Sequence, residues 1–180
     1  DHARAVNQKC GARIHESYED VLADEEVEGV LLITPTFLHA EQGIAAAEAG
    51  KHVFVEKPIE NHVADAQRLV AACEKAGVKL AVGQSQRRAP AVRKMKELIE
   101  SGETGRIIQA EGNFSHSGGM SLTPERWRWY KEKCPGGPLN LLGVHVADNL
   151  LYLLGPAVEV TGFHGKGASP AEMDDLWGCV

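Results

Sequence analysis

Lys51-His52-Val53-Phe54-Val55-Glu56-Lys57-Pro58 is the stretch that decides the fold. Val53, Phe54 and Val55 form a short apolar run directly behind Gly50, a residue that suits a helix end. The run predicts a short buried strand. It finishes in a carboxylate, an ammonium and a proline. Groups at the carboxyl ends of parallel strands face the crevice where open α/β sheets bind ligands. Proline holds the residue before it extended, so Lys57 is expected to be aimed rather than mobile. Taken alone, the tripeptide reads as well as a strand end with a surface ion pair.

The neighbouring segments supply the context. Gly29 to Thr34 is a second continuous apolar run, of the kind that suits a parallel strand covered on both faces. Thr34-Pro35-Thr36 breaks it, and Phe37 to Ala49 has alanine-rich helical composition up to Gly50. Strand, crossover helix and strand make a right-handed βαβ unit. The alternation continues with a helix from His62 to Ala76, carrying Ala66, Leu69, Val70 and Cys73 at core spacing. A third buried strand follows from Val78 to Val82, then a polar, basic loop from Gln84 to Ala89 and a helix opened by Pro90. Upstream, Ala3 to Lys9 reads as the tail of a helix capped near Gly11. Ser17 with Asp20 predicts a capping box for a short helix ending near Ala23.

The second half has another character. Arg106 to Ser115 alternates partially and predicts a longer strand of antiparallel type. His116 to Pro135 reads as an irregular loop. Gly136-Gly137-Pro138 opens a helix running to about Leu154, and Val158 to His164 is expected as a strand. The change suggests a domain boundary near Gln84 to Arg88, dividing the chain into a unit of parallel βα repeats, 1–86, and a second α/β unit, 87–180.

With 180 residues, 43% hydrophobic and 24% charged, the composition is that of a globular protein. A formal charge of −6 argues against a nucleic-acid or anionic-membrane surface. Cys10, Cys73, Cys134 and Cys179 are scattered with no Cys-x-x-Cys pair, which suits thiols in a reducing, cytoplasmic compartment. His15, His52, His62 and His116 show no metal-ligand spacing, so no metal is expected. Both ends read as cut, since the chain starts at Asp1 and stops just after Asp174-Asp175-Leu176-Trp177, where an element begins.

Three polar clusters fall at expected strand ends: Thr34-Pro35-Thr36, Glu56-Lys57-Pro58 and Gln84 to Arg88. In a parallel sheet these ends lie side by side, so the clusters converge on one crevice. On the later helix, Leu141, His145, Asp148 and Tyr152 share a face. His145 can shuttle a proton near neutrality, and Asp148 could orient it or bind a hydroxyl. A histidine merely satisfied in the helix core fits the same spacing. Trp127 to Tyr130 could wall a sugar-sized pocket or form a satellite core under the loop. His39, at a helix start, reads as a cap or surface residue.

Four stretches together resemble the Gfo/Idh/MocA family, in order and spacing: Thr34 to His39, Ala49 to Pro58, Gln86 to Pro90 and Gly136 to Asp148. The resemblance implies a Rossmann domain, here partial, followed by part of an α/β domain with an open, mostly antiparallel sheet. It implies NAD or NADP as cofactor, a sugar-like or polyol substrate and a homo-oligomer. Lys57 matches the family's lysine that contacts nicotinamide and substrate, and His145 its acid/base. Thr34, Pro35, Thr36, His39, Glu56, Pro58 and Gln84 would lie along the cofactor. Arg87, Trp127, Arg128 and Asp148 would face the substrate. The implied activity is hydride transfer. Alternatives are a redox-neutral lyase or hydrolase that uses NAD transiently, and a non-catalytic nucleotide-binding fragment.

Two departures stand out. No Gly-x-Gly-x-x-Gly occurs, so the pyrophosphate site is expected upstream of Asp1, NAD and NADP are not distinguished, and this chain alone is expected to bind cofactor weakly and be inactive. Leu141 stands where many relatives carry an aspartate one turn before the histidine.

Overall fold

The structure, a computed structural model, describes Asn7 and residues 9–180. Along the chain run α1 (Tyr18–Ala23), β1 (Gly29–Leu32), α2 (His39–Glu48), β2 (His52–Val55), α3 (Val63–Ala76), β3 (Leu80–Val82), α4 (Pro90–Glu100), α5 (Val144–Leu154), β4 (Gly162–Gly165) and β5 (Leu176–Cys179). Most of the expected helix tail at Ala3 to Lys9 lies outside the described residues. The capping box of α1 forms as read: Ser17 Oγ accepts from Asp20 N, and the Asp20 carboxylate accepts from Ser17 N.

β1, β2 and β3 form a parallel sheet in that order, with Val30 beside Val53 and Val55 beside Val82. Helices α2 and α3 are the crossovers. Val30, Leu32, Ala46, Ala47, Val53, Val55, Leu69 and Cys73 close the core between them and the sheet. A Cβ at Gly43 would sit 2.5 Å from Leu69 Cδ1, so glycine lets α2 approach α3. Gly77 ends α3 at φ 68°, a conformation that favours glycine. Lys51, at the start of the opening stretch, is buried with its ammonium donating to the Asp24 carbonyl at 2.8 Å.

The expectation of cover on both faces is corrected. Leu31 is 68% exposed and Ile33 72%, so one face of β1 lies open among the described residues. β3 is likewise only partly buried. The described helices α1, α2 and α3 make one layer, because their apolar residues all pack against the same core.

The second half departs further. Arg106 to Ser115 forms no regular element and pairs with no strand among the described residues, and Ile108 is 93% exposed. A strand needs a ladder partner as well as alternation, and here only the alternation is present. The expected strand at Val158 to His164 shortens to β4, which pairs antiparallel with β5, Gly162 opposite Cys179 and Gly165 opposite Leu176. Asp175 closes the intervening loop by accepting from the backbone of Gly167, Ala168 and Ser169, and these donors hold its carboxyl at about 2. The expected helix from Pro138 begins as a π turn, Leu139–Gly143, before α5.

Among the described residues no helix is long and apolar enough to cross a membrane.

Leu69 has no exposed surface, so Leu69→Ala is expected to cost about 3 kcal/mol in urea unfolding. Val70→Ala, at a position 38% exposed, is expected to cost less than about 1 kcal/mol.

Candidate functional site

The loops leaving the three parallel strands meet at one edge, and His39 ties two of them together. Its ring is 1% exposed. Nε2 lies 2.9 Å from the Thr34 carbonyl and Nδ1 3.0 Å from the Pro58 carbonyl. His39 is therefore not the cap or surface residue expected from its position. Both of its ring nitrogens are engaged by backbone. Glu60 caps the start of α2, accepting from Ala40 N at 3.0 Å. The Thr34 hydroxyl pairs with Gln42 at 2.6 Å. Glu56 accepts from Lys57 N at 3.1 Å and lies against Gly83, where a Cβ would come within 3.1 Å of its carboxylate.

Lys57 is aimed, as the proline after it suggests. Its Nζ donates to the Leu141 carbonyl at 2.6 Å, across the two halves of the chain. That carbonyl belongs to the π turn, where the regular helical ladder is interrupted. Leu141 precedes His145 by about one helical turn, so the ammonium reaches the helix close to the imidazole. The imidazole senses the Lys57 charge. Burial lowers the His145 pKa most, the Lys57 charge lowers it further, and Asp148 and Glu56 oppose the shift. Burial also lowers the Lys57 pKa, with Glu56 opposing and Arg128 adding to the effect. The charges of Lys57, Asp148 and Glu56 thus act on the His145 imidazole, and those of Glu56 and Arg128 on the Lys57 ammonium.

His145 is 7% exposed, and its Nδ1 is buried with no hydrogen-bond partner among the described residues. The Phe114 ring lies 6.2 Å away, centroid to centroid. Asp148 does not orient the imidazole. Both of its oxygens accept from Arg87, Nε at 2.7 Å and Nη2 by a second, shorter contact. A guanidinium fork satisfies two carboxylate oxygens at once, which an imidazole cannot do. Trp127 and Trp129 pack against Cys134, Ala171 and Met173 as a small core, and Trp127 also meets Phe37 edge-on at 6.0 Å. Arg128 lies over the Trp127 ring at 4.6 Å. The aromatic segment therefore packs as a satellite core under the loop.

Some contributors left little trace in the sequence. Asn61 donates to the Lys133 carbonyl at 3.0 Å and accepts from Asn140 at 3.5 Å, and Asn149 donates to Gln86 at 3.4 Å. A loop asparagine carries no signal of such a reach. The Leu141 carbonyl carries none at all, since every residue has one.

The polar groups present fit the nicotinamide end of a dinucleotide. Gln84 Oε1 is buried without a donor among the described residues, which leaves an acceptor for a carboxamide N–H beside the Lys57 and Glu56 loop. Among the described residues, no group of His, Cys, Asp and Glu is arranged to hold a metal ion.

Two family models match the chain in succession. One is described as an oxidoreductase family with an NAD-binding Rossmann fold and matches residues 1–84. The other is the GFO/IDH/MocA C-terminal domain and matches residues 92–179. The 1,5-anhydro-D-fructose reductase of Ensifer adhaerens is 35% identical over 161 residues, covering 88% of this chain and 48% of that protein. The NAD-binding protein from Listeria innocua is similar in structure with a TM-score of 0.85 at 32% identity, covering 98% of this chain and 49% of that one. Levoglucosan dehydrogenase, solved in complex with NADH and levoglucosan, is similar with a TM-score of 0.83 at 28% identity, covering 96% and 49%. The chain spans about half the length of the relatives it matches.

The charge relation between the two central groups has a direct test. In NMR titration the His145 imidazole is expected to titrate below its ordinary value of 6.5. Lys57→Met removes the like charge, so the midpoint is expected to move upward.

Proposed function

The chain belongs to the Gfo/Idh/MocA family of oxidoreductases with an NAD-binding Rossmann fold, and on that premise we propose that the whole protein transfers a hydride between NAD or NADP and a sugar-like or polyol substrate. The observation that supports this reading is the Lys57 ammonium donating to the Leu141 carbonyl at 2.6 Å, four residues before His145 on the same helical segment. The names of the relatives, a sugar reductase and a sugar dehydrogenase, support the substrate class.

Oxidation of a carbinol requires its hydroxyl proton to leave as the C–H hydride departs. His145 is the acceptor for that proton. Its lowered pKa keeps the ring neutral, and so competent as a base, to below the usual imidazole range. In the reverse direction the same ring, protonated, returns the proton to the forming hydroxyl. Lys57 stabilises the developing alkoxide, and its charge acts more strongly in a site that excludes water. Bound nicotinamide supplies the hydride chemistry. Glu56, Gln84 and the Thr34 to Thr36 turn hold its nicotinamide end, while His39 fixes the loops that carry Thr34 and Pro58. Trp127 and Arg128 wall the substrate side.

The division into residues 1–86 for cofactor and 87–180 for substrate belongs to the same proposal. So does a cytoplasmic homo-oligomer as the working form.

In the whole protein, Lys57→Ala and His145→Ala are each expected to lower turnover by about a hundredfold or more. The measurement is reduced nicotinamide formed against a panel of sugars and polyols. Near-normal turnover in either variant removes that residue from the mechanism. Substrate consumed without net reduced nicotinamide points instead to the redox-neutral reaction.

A further inference from the structure

On the helix that carries His145 lies a seam that the chemistry of proton and hydride transfer does not itself require. It joins the loop after β3 to the helix that carries His145. Arg87 grips both oxygens of Asp148. Gln86 accepts from Asn149 at 3.4 Å next to it. The Arg87 guanidinium sits 5.3 Å from the Tyr152 ring centroid, and Lys96 reaches the same ring at 5.6 Å. Asp148, Asn149 and Tyr152 follow His145 within the next two turns of α5. The Asp148 side chain is only 11% exposed.

The side-chain bonds that reach this region from residues 1–86 are single contacts. Lys57 donates to the Leu141 carbonyl, and Asn61 donates to the Lys133 carbonyl at 3.0 Å and accepts from Asn140 at 3.5 Å. A fork of two parallel hydrogen bonds fixes orientation as well as distance. We propose that Arg87 and Asp148 are positioning residues, a clasp that sets the rotation of α5 and so places the His145 ring against Lys57. The clasp also saturates Asp148 and withholds its carboxylate from the imidazole. The inference rests on the roles given above to Lys57 and His145.

The charged groups facing His145 are Lys57, Asp148 and Glu56. Freed from Arg87, the Asp148 carboxylate has its full charge available to the imidazole, which favours the protonated ring.

The test uses the whole protein and whichever sugar or polyol in a panel gives the highest turnover. Arg87→Met and Asp148→Asn are each expected to lower kcat on the order of tenfold to a hundredfold, the scale of a misplaced catalytic group. KM is expected to change little. Arg87→Met is also expected to shift the acid limb of the kcat profile upward in pH. The reversed pair, Arg87→Asp with Asp148→Arg, is expected to recover most of the lost turnover. Raised KM with kcat kept, and no recovery in the reversed pair, means that these side chains touch substrate, and the clasp is overturned. Unchanged kinetics in both single variants overturn it as well. Should thermal unfolding show a single variant unfolded, Arg87→Lys and Asp148→Glu take its place, with an intermediate loss of kcat expected and none contradicting the clasp. Loss of turnover in Lys57→Ala and His145→Ala alongside an indifferent clasp sinks this inference alone. Normal turnover in those two sinks the functional reading and the clasp together.

Discussion

The ammonium of Lys57 resting on a backbone carbonyl of the π turn is the contact on which the rest of the arrangement depends. It joins the tip of β2 to the segment that leads into α5. A hydrogen bond to a charged donor contributes about 2 kcal/mol net, which is modest as stability and large as a constraint. The nature of the acceptor matters more than its strength. A carboxylate there would pair with the ammonium and cancel its field. A carbonyl holds the ammonium in place and leaves most of its charge uncompensated. That charge is then felt by the imidazole one turn further along the chain.

The surroundings are consistent with this economy of charge. Asp148, the acid nearest in sequence after His145, is occupied by Arg87. Glu56 accepts from its own neighbour's amide. The buried Nδ1 of His145 therefore has no carboxylate partner among the described residues. The cost of burying such a ring falls on its charged form, which lowers its pKa. A neutral imidazole beside a fixed cation is suited to take a proton from a hydroxyl whose oxygen the cation stabilises.

Most of the first half was legible in the sequence because its signals are local. The run Val53 to Val55, the glycines at helix ends and the Ser17 capping box each specify their own element. What the sequence could not convey was which faces are covered. Leu31 and Ile33 read as buried and are exposed, since burial depends on what packs from outside the segment. Arg106 to Ser115 failed as a strand for a related reason: alternation marks a face, but pairing needs a neighbour. Within the candidate site, Lys57 and His145 were singled out by residue type and position. Their meeting point was not, because it runs through the carbonyl of Leu141. The sequence offered Asp148 to His145, and the structure gives it to Arg87, since bidentate geometry outweighs proximity along a helix.

The most direct measurement is a crystal structure of the whole protein with oxidised nicotinamide cofactor and a polyol bound. The account predicts one substrate hydroxyl within about 3.5 Å of both Lys57 Nζ and a ring nitrogen of His145, with the nicotinamide ring against the same carbon. A nicotinamide ring seated away from Lys57 and His145, or a substrate hydroxyl that reaches neither group, would contradict it.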